Sequence, residues 1–324
     1  MKFCKRCVYP ESVVNLFFDE EGICSGCRAF ERFEALTPEH WSRRKRRFEE
    51  IVNEVRKQNR SHYDCVIAVS GGKDSYYQAH VICSEYKLKP LLVTYHGNNF
   101  LPEGDYNRDR MRHIFNADHI VFGPSVEVLK KLNRLTFRKM GDMNWHNHCG
   151  IKTVPVQIAV KYGIPLVIWG EVVWDLSGMH EPEDFVEYSA RVRHEHALRG
   201  FEWADLLNDP RDPLTEKDML WAKYPMDEEI LKVGVRGLYI GNFFKWDPNW
   251  HTELVQLAVE PHGLAERVLD RSDRGDLAAE VEVQELERLE HLVLAQVRDR
   301  LGELLRREAE LRAVASRGLP VAGA

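Results

Sequence analysis

The chain has no hydrophobic run long enough to cross a bilayer as a helix, which takes about 20 apolar residues. It opens Met1-Lys2-Phe3-Cys4, without the pattern of a secretory leader, so a cytoplasmic protein with no membrane contact is expected. Basic residues are in deficit, 45 Lys and Arg against 51 Asp and Glu, for a formal charge of −6. That argues against a nucleic-acid binder, whose phosphate contacts call for a basic excess. Cysteine is scarce and odd in number, seven in 324 residues, which argues against a disulfide framework and for a reducing compartment. What remains is a chain with 44% hydrophobic and 30% charged residues, the balance of a soluble globular protein. Its length admits one sizeable domain with smaller attachments.

The few cysteines are unevenly placed. Four fall before residue 28, as Cys4-x2-Cys7 and Cys24-x2-Cys27 with sixteen residues between the pairs. This spacing fits a tetrahedral zinc site of four thiolates. Lys5, Arg6 and Arg28 favour the thiolate form, and Gly22 and Gly26 permit tight knuckles. A segment this short cannot otherwise bury enough surface to fold. Unrelated free thiols and a redox pair are the alternatives. Four cysteine ligands leave no open coordination position, so the metal is read as structural and residues 1–35 as a zinc module.

Residues 36–62 read as a helical linker. Trp41, Phe48, Ile51, Val52 and Val55 recur near helical spacing, and Arg43 to Arg47 form a basic run. A solvated helix face explains that run, with a nucleic-acid contact as the alternative.

The chemistry is concentrated at Tyr63 to Tyr77, YDCVIAVSGGKDSYY. Cys65 to Val69 has the length and β-branched content of a buried parallel strand. It stops at Ser70-Gly71-Gly72-Lys73-Asp74-Ser75, and a helix is expected from Tyr76 to about Leu88. Strand, glycine turn and helix start in succession make an anion site, because glycines let backbone N–H groups approach a ligand. Ser70 and Ser75 offer hydroxyls, Lys73 a cation, and Asp74 a carboxylate able to hold a divalent metal against phosphate oxygens. The spacing excludes a Walker loop, which needs four residues between its first glycine and the Gly-Lys pair. A plain strand-to-helix turn with a capping serine is the bland alternative.

The alternation continues with a strand at Leu91–Tyr95, a turn at His96–Asn99, a helix at Asp105–Ala117 and a short strand at His119–Phe122. Helices follow at Ser125–Met140 and Thr153–Tyr162, then a buried strand at Leu166–Trp169 ending in Gly170-Glu171. Strands alternating with helices predict an α/β, doubly wound parallel sheet over residues 63–253, with ligands at the carboxyl ends of the strands. Ser70–Ser75, Tyr95–Gly97 and Gly170–Glu171 sit at such ends. Gly141 to Gly150 is expected as a loop, whose His146, His148 and Cys149 line a substrate site, ligate a metal or serve the loop alone. Residues 174–215 read as an insertion, in which Asp184-Phe185 and Arg191 to His194 are candidates to hold an anionic substrate. Gly234 to Asp247 is the last piece of the core. From about Leu254 the composition turns to Ala, Leu, Glu and Arg, and Leu286, Leu289, Val293, Val297, Leu301 and Leu304 line one face of a helical tail over 254–324. That face suits a dimer, a partner or packing back on the domain.

SGGKDS resembles the signature of the PP-loop ATP pyrophosphatases, which break ATP between its α- and β-phosphates. With Cys4-Lys-Arg-Cys7-Val-Tyr-Pro10, Gly22-Ile-Cys24-Ser-Gly-Cys27, Trp145-His146-Asn147-His148-Cys149-Gly150, IPLVIWGE at Ile164–Glu171 and GVRGLYIGNFFKWD at Gly234–Asp247, the chain resembles the N-acetyl sugar amidotransferases of lipopolysaccharide and flagellar pseudaminic-acid-type pathways. The likeness covers about residues 1–250, and the tail beyond 254 departs from the family. It implies the adenine nucleotide alpha hydrolase-like fold, ATP and Mg2+ beside the zinc, and Ser70, Gly71, Gly72, Lys73, Asp74, Ser75 and Gly170 as nucleotide-binding residues. Lys73 and Asp74 are then catalytic, and His146, His148 and Glu171 contact the substrate. The implied substrate is a nucleotide- or acid-sugar bearing an acetamido group, with ammonia from a separate glutaminase and an ammonia-conducting subunit. A tRNA-thiolating PP-loop enzyme and a non-catalytic nucleotide-binding module are the rival readings.

Overall fold

The computed structural model describes residues 1–12, 16–170, 187 and 192–259. The chain divides into two units, Met1–Pro248 and Asn249–Ala324. In the first unit β1 (Cys65–Ala68), β2 (Pro90–Tyr95), β3 (Asp118–Phe122), β4 (Leu166–Trp169) and β5 (Arg236–Tyr239) form one sheet. Its order is β3-β2-β1-β4-β5, and these five strands pair in parallel, with one isolated antiparallel bridge from Glu187 to Leu238 of β5. The central strands are the continuous apolar runs of the sequence, because a strand covered on both faces leaves no room for alternation. Ile67 of β1 pairs with Leu92 on one side and Ile168 on the other. β3, at the edge, is half exposed. The chain lays down β1, β2 and β3 in one direction, then crosses back to add β4 and β5. The order therefore reverses between β1 and β4, where the loops after adjacent strands part and open a crevice.

Eight helices are described in this unit: α1 (Ser25–Glu34), α2 (Pro38–Gln58), α3 (Lys73–Ala79), α4 (Pro102–Ile114), α5 (Val126–Met140), α6 (Trp145–Tyr162), α7 (Glu216–Met219) and α8 (Asp227–Val233). A ninth, α9 (Pro248–Val259), opens the second. Thr37 caps α2 by accepting from the His40 N–H, and Pro38 takes the first turn, where its missing N–H costs nothing. Phe48, Ile51, Val52 and Val55 are buried as the periodicity predicts. The basic run on α2 is not one solvated face. Arg44 is buried with its Nε 3.2 Å from His40 Nε2, and Arg47 pairs with Glu50 at 3.0 Å.

Two elements differ from expectation. α3 starts at Lys73, not Tyr76, because Gly72 in extended conformation already serves as its N-cap. It continues as a π-helical turn over His80–Glu85. The segment 145–150, expected as a loop, forms the first turns of α6, which runs unbroken to Gly163 in the left-handed C-cap position. Pro155 lies inside this helix and removes the N–H that Ile151 would have received. The freed Ile151 carbonyl accepts the Trp169 indole N–H instead, at 2.9 Å. The proline thereby ties α6 to the end of β4.

Among the described residues no helix is long and apolar enough to cross a membrane. Asp184, Phe185, Glu171 and the apolar stripe from Leu286 to Leu304 lie outside the described residues.

Candidate functional site

The SGGKDS loop follows β1 at the reversal of strand order. Its ends are closed by serines: the Ser70 N–H donates to Ser75 Oγ at 2.8 Å, and the two hydroxyl oxygens are 3.2 Å apart. Gly71 has φ +83°, and a Cβ there would lie 2.7 Å from the Arg108 backbone nitrogen of α4. The turn and the close approach both require glycine. No side chain caps α3. Lys73 Nζ donates to both Asp74 carboxylate oxygens at 2.8 Å, with the two side chains 39% and 42% exposed. Cation and carboxylate are thus held together at an open loop, where phosphate oxygens and a divalent ion can divide them. A lone carboxylate suits magnesium, which keeps most of its shell from water and phosphate.

Gly170, at the end of β4, is buried. A Cβ there would fall 2.3 Å from Gln78 Nε2 and 3.1 Å from the Trp246 ring. Gln78 comes from α3, one turn beyond Asp74, and was not singled out by any motif.

At the end of β2 the first turns of α6 fill the space. Gly97 would overlap Asn147 Oδ1 at 2.0 Å if it carried a Cβ, and Gly150 would overlap the Tyr95 ring at 2.2 Å. His146 is 4% exposed, with Nδ1 3.2 Å from the Tyr95 hydroxyl. The Asn133 amide, turned to satisfy both ends, donates to His146 Nε2 at 3.0 Å. With Nε2 accepting, Nδ1 carries the proton and donates to Tyr95. Both nitrogens of His146 are therefore engaged, Nδ1 tying α6 to β2 and Nε2 tying it to α5. His148, half-buried, places Nδ1 3.5 Å from Asp142 Oδ2, which Arg199 Nε also approaches at 3.7 Å. One turn further, Lys152 is 9% exposed, its ammonium 5.1 Å from the Trp169 ring and 4.9 Å from the Tyr239 ring. Such desolvated cation–π contacts are worth about 2 kcal/mol. A cavity of about 490 Å³ lies beyond it, lined by Val156, Trp169, Arg193, Tyr224 and Asp227. The Arg193 guanidinium lies 4.5 Å from the Tyr224 ring centroid and donates to Glu202 at 2.8 Å.

Burial first, and the nearby His148 second, hold His146 down at about 4. Burial, with Arg108 and Arg112 adding to it, does the same for His119, whose Nε2 is 2.9 Å from Thr94 Oγ1. Both rings are neutral in the fold. Their folded values lie below the ordinary 6.5, so the native state gains from them fully above that pH and loses the gain as pH falls towards about 4. Urea titrations at stepped pH should show stability declining through this window, and a His146→Gln variant should decline less steeply.

Cys149 is fully buried, with Thr153 Oγ1 and the Ala222 carbonyl each 3.7 Å from its sulfur. Burial pushes its thiol up to about 12, does the same to Cys83, and raises Cys65 well above the usual thiol range. A thiol so held is not a nucleophile near neutral pH. Maleimide labelling of the native protein at pH 8, read by peptide mass, should leave Cys149 and Cys65 unmodified until denaturant is added.

The N-terminal cysteines converge. Their four sulfurs lie within 4.8 Å of one another, with Cys4–Cys27 at 3.9 Å and Cys7–Cys24 at 3.6 Å. Tetrahedral zinc with sulfur at ~2.3 Å puts sulfurs ~3.8 Å apart, so the set fits the ion. Backbone N–H groups of Arg6 and Cys24 point at Cys4 Sγ, at 3.4 and 3.3 Å, and that of Cys27 at Cys24 Sγ, at 3.4 Å. Burial opposes the Cys4 thiolate, but the N–H groups of Cys7, Arg6 and Cys24 bring it down to about 6. Cys24 and Cys27 are raised, by burial first and by the neighbouring thiols next. Four adjacent thiolates need a cation among them. Among the described residues, the apolar side chains around the sulfurs are Leu16, Phe18 and Ile23.

No protein-family model matches the chain. An uncharacterized protein of Methanocaldococcus jannaschii is 29% identical over 91 residues, 28% of this chain and 31% of that one. The chain thus spans about a third of the length of this relative. Among solved structures, the chain is similar to the NH3-dependent NAD synthetase of Campylobacter jejuni, with 11% identity, a TM-score of 0.33, and coverage of 78% of this chain and 96% of that one. It is also similar to the NMN synthetase of Francisella tularensis, with 13% identity, a TM-score of 0.27, and coverage of 61% and 91%.

Proposed function

We propose that the protein is an ATP-dependent amidotransferase, forming AMP and pyrophosphate, that converts a sugar acetamido group to an acetamidino group in surface-polysaccharide or flagellar-glycan synthesis. The observation that supports this reading is the serine-closed SGGKDS loop at the reversal point of the sheet, with Lys73 and Asp74 exposed together on it. An amide carbonyl is a poor electrophile, and ammonia does not displace its oxygen unaided. In the proposed reaction that oxygen attacks the α-phosphorus, and the bond to the bridging oxygen breaks to release pyrophosphate. Ammonia then adds to the activated carbon. The carbon–oxygen bond breaks, AMP leaves with the oxygen, and the nitrogen sheds a proton to leave the amidine.

Ser70, Gly71, Gly72 and Ser75 hold the departing pyrophosphate, and Lys73 offsets its growing charge. Magnesium beside Asp74 supplies further positive charge to the phosphates. Gly170 faces the nucleotide, and His148 and Glu171 serve the substrate, with His146 fixing the start of α6. The cavity beside Trp169 has the size for a sugar, and its wall carries Arg193, Asp227 and Glu228, polar groups able to bond sugar hydroxyls. The buried state of Cys149 speaks against sulfur transfer to tRNA, which calls for a reactive thiol. Ammonia comes from a separate glutaminase, through an ammonia-conducting subunit.

The test is pyrophosphate release from ATP and Mg2+ with ammonium chloride and a panel of acetamido sugars, with the amidine read by mass. Sugar-dependent release is expected, and glutamine in place of ammonium should yield no product from this chain alone. Release with tRNA instead would favour the thiolating enzyme, and release with neither the binding module. Product from glutamine alone would remove the need for a partner.

A further inference from the structure

Gln78 is one of the buried polar side chains near the crevice. It is 4% exposed, and its Oε1 is sealed from solvent with no hydrogen-bond partner among the described residues. A buried acceptor is stabilised by any donor that reaches it, and a ligand held at this corner can supply one. The amide lies across the end of β4, where Gly170 alone leaves room for it: a Cβ there would come within 2.3 Å of Nε2 and 2.9 Å of the amide carbon. Trp246 closes the same corner, 3.1 Å from that Cβ position, and its ring meets Tyr77 edge-on with centroids 5.8 Å apart. Gln78 is on the helix that begins at the SGGKDS loop, so amide and loop belong to one ligand-sized region at the β1–β4 reversal.

We infer that Gln78 reads the base of the bound nucleotide, its Oε1 accepting from the exocyclic amine of adenine. This deepens the proposed function and rests on it. A carboxamide is suited to the task because it offers an acceptor and a donor side by side, the complement of adenine's amine and N7. The aromatic neighbours supply flat apolar surface for the ring. The cost of the orphaned acceptor is removed only when the right base is present. A 6-oxo purine, which brings an acceptor to an acceptor, is disfavoured.

The experiment compares ATP and ITP binding by calorimetry, with inorganic pyrophosphate as a loop-only probe, in wild type and Gln78→Met. Methionine keeps the length and removes the polar group. Wild type should prefer ATP over ITP by about tenfold, the measure of one such hydrogen bond. In Gln78→Met the preference should collapse to near unity, pyrophosphate affinity should stay unchanged, and the ligand-free protein should melt at the same or a higher temperature. An unchanged ATP-over-ITP ratio, or a loss shared equally by pyrophosphate, overturns the inference and leaves the ATP reading standing. Wild type that binds no ATP overturns both.

Discussion

Lys73→Ala and Asp74→Asn should each lower pyrophosphate release by about two to three orders of magnitude while leaving the protein folded. The expected size is that of losing one electrostatic contact aimed at developing charge. The expectation of a normal fold comes from exposure: the two side chains are about two-fifths exposed, and Lys73 donates to Asp74 across one peptide. Circular dichroism and thermal melting should be indistinguishable from wild type, since surface changes of this kind stay within about 0.5 kcal/mol. The two variants should also differ in character. Without Lys73, the carboxylate is left facing phosphates alone, so ATP affinity and turnover should both fall. With Asp74 amidated, Lys73 remains, and the loss should be partly recovered by raising Mg2+. Folded variants with near-normal turnover would move the active site away from this loop.

Removing metal should unfold the first 35 residues and little else. The four sulfurs hold the module together, and among the described residues only Leu16, Phe18 and Ile23 pack around them. That is far too little to offset chain entropy, which runs at about 1–2 kcal/mol per residue. Purified protein should carry about one zinc per chain. A strong chelator should expose Cys4, Cys7, Cys24 and Cys27 to thiol reagents. Cys24→Ser should do the same at neutral pH, since the Cys24 sulfur is buried and accepts the Cys27 N–H. Proteolysis should then cut before α2, while the sheet keeps its melting transition. A zinc-free protein whose first 35 residues resist protease would overturn the metal assignment.

The strands and the loop between them were legible because their signals are local. An apolar run followed by two glycines and a serine-flanked cation needs only neighbours in sequence to declare itself, and Cys65–Ala68 and Ser70–Ser75 lie where that pattern puts them. The paired cysteines were legible for the same reason, since ligand spacing is written in the chain. The start of α6 was not. Two histidines, an asparagine and a glycine make a poor helix by propensity, and the segment is helical because His146, Asn147 and Gly150 pack on the end of β2. That contact joins residues some fifty positions apart, so it has no local signature. The partition of the two histidines is likewise tertiary: one has both nitrogens engaged in the core, the other faces Asp142. Gln78 and Lys152 carry no motif at all. What distinguishes each is an environment made by strands from elsewhere, the end of β4 for one and the Trp169 and Tyr239 rings for the other. Residue type and spacing told which chemistry the loop can hold, but burial, which decides the state of each polar group around it, exists only once the sheet has brought distant segments together.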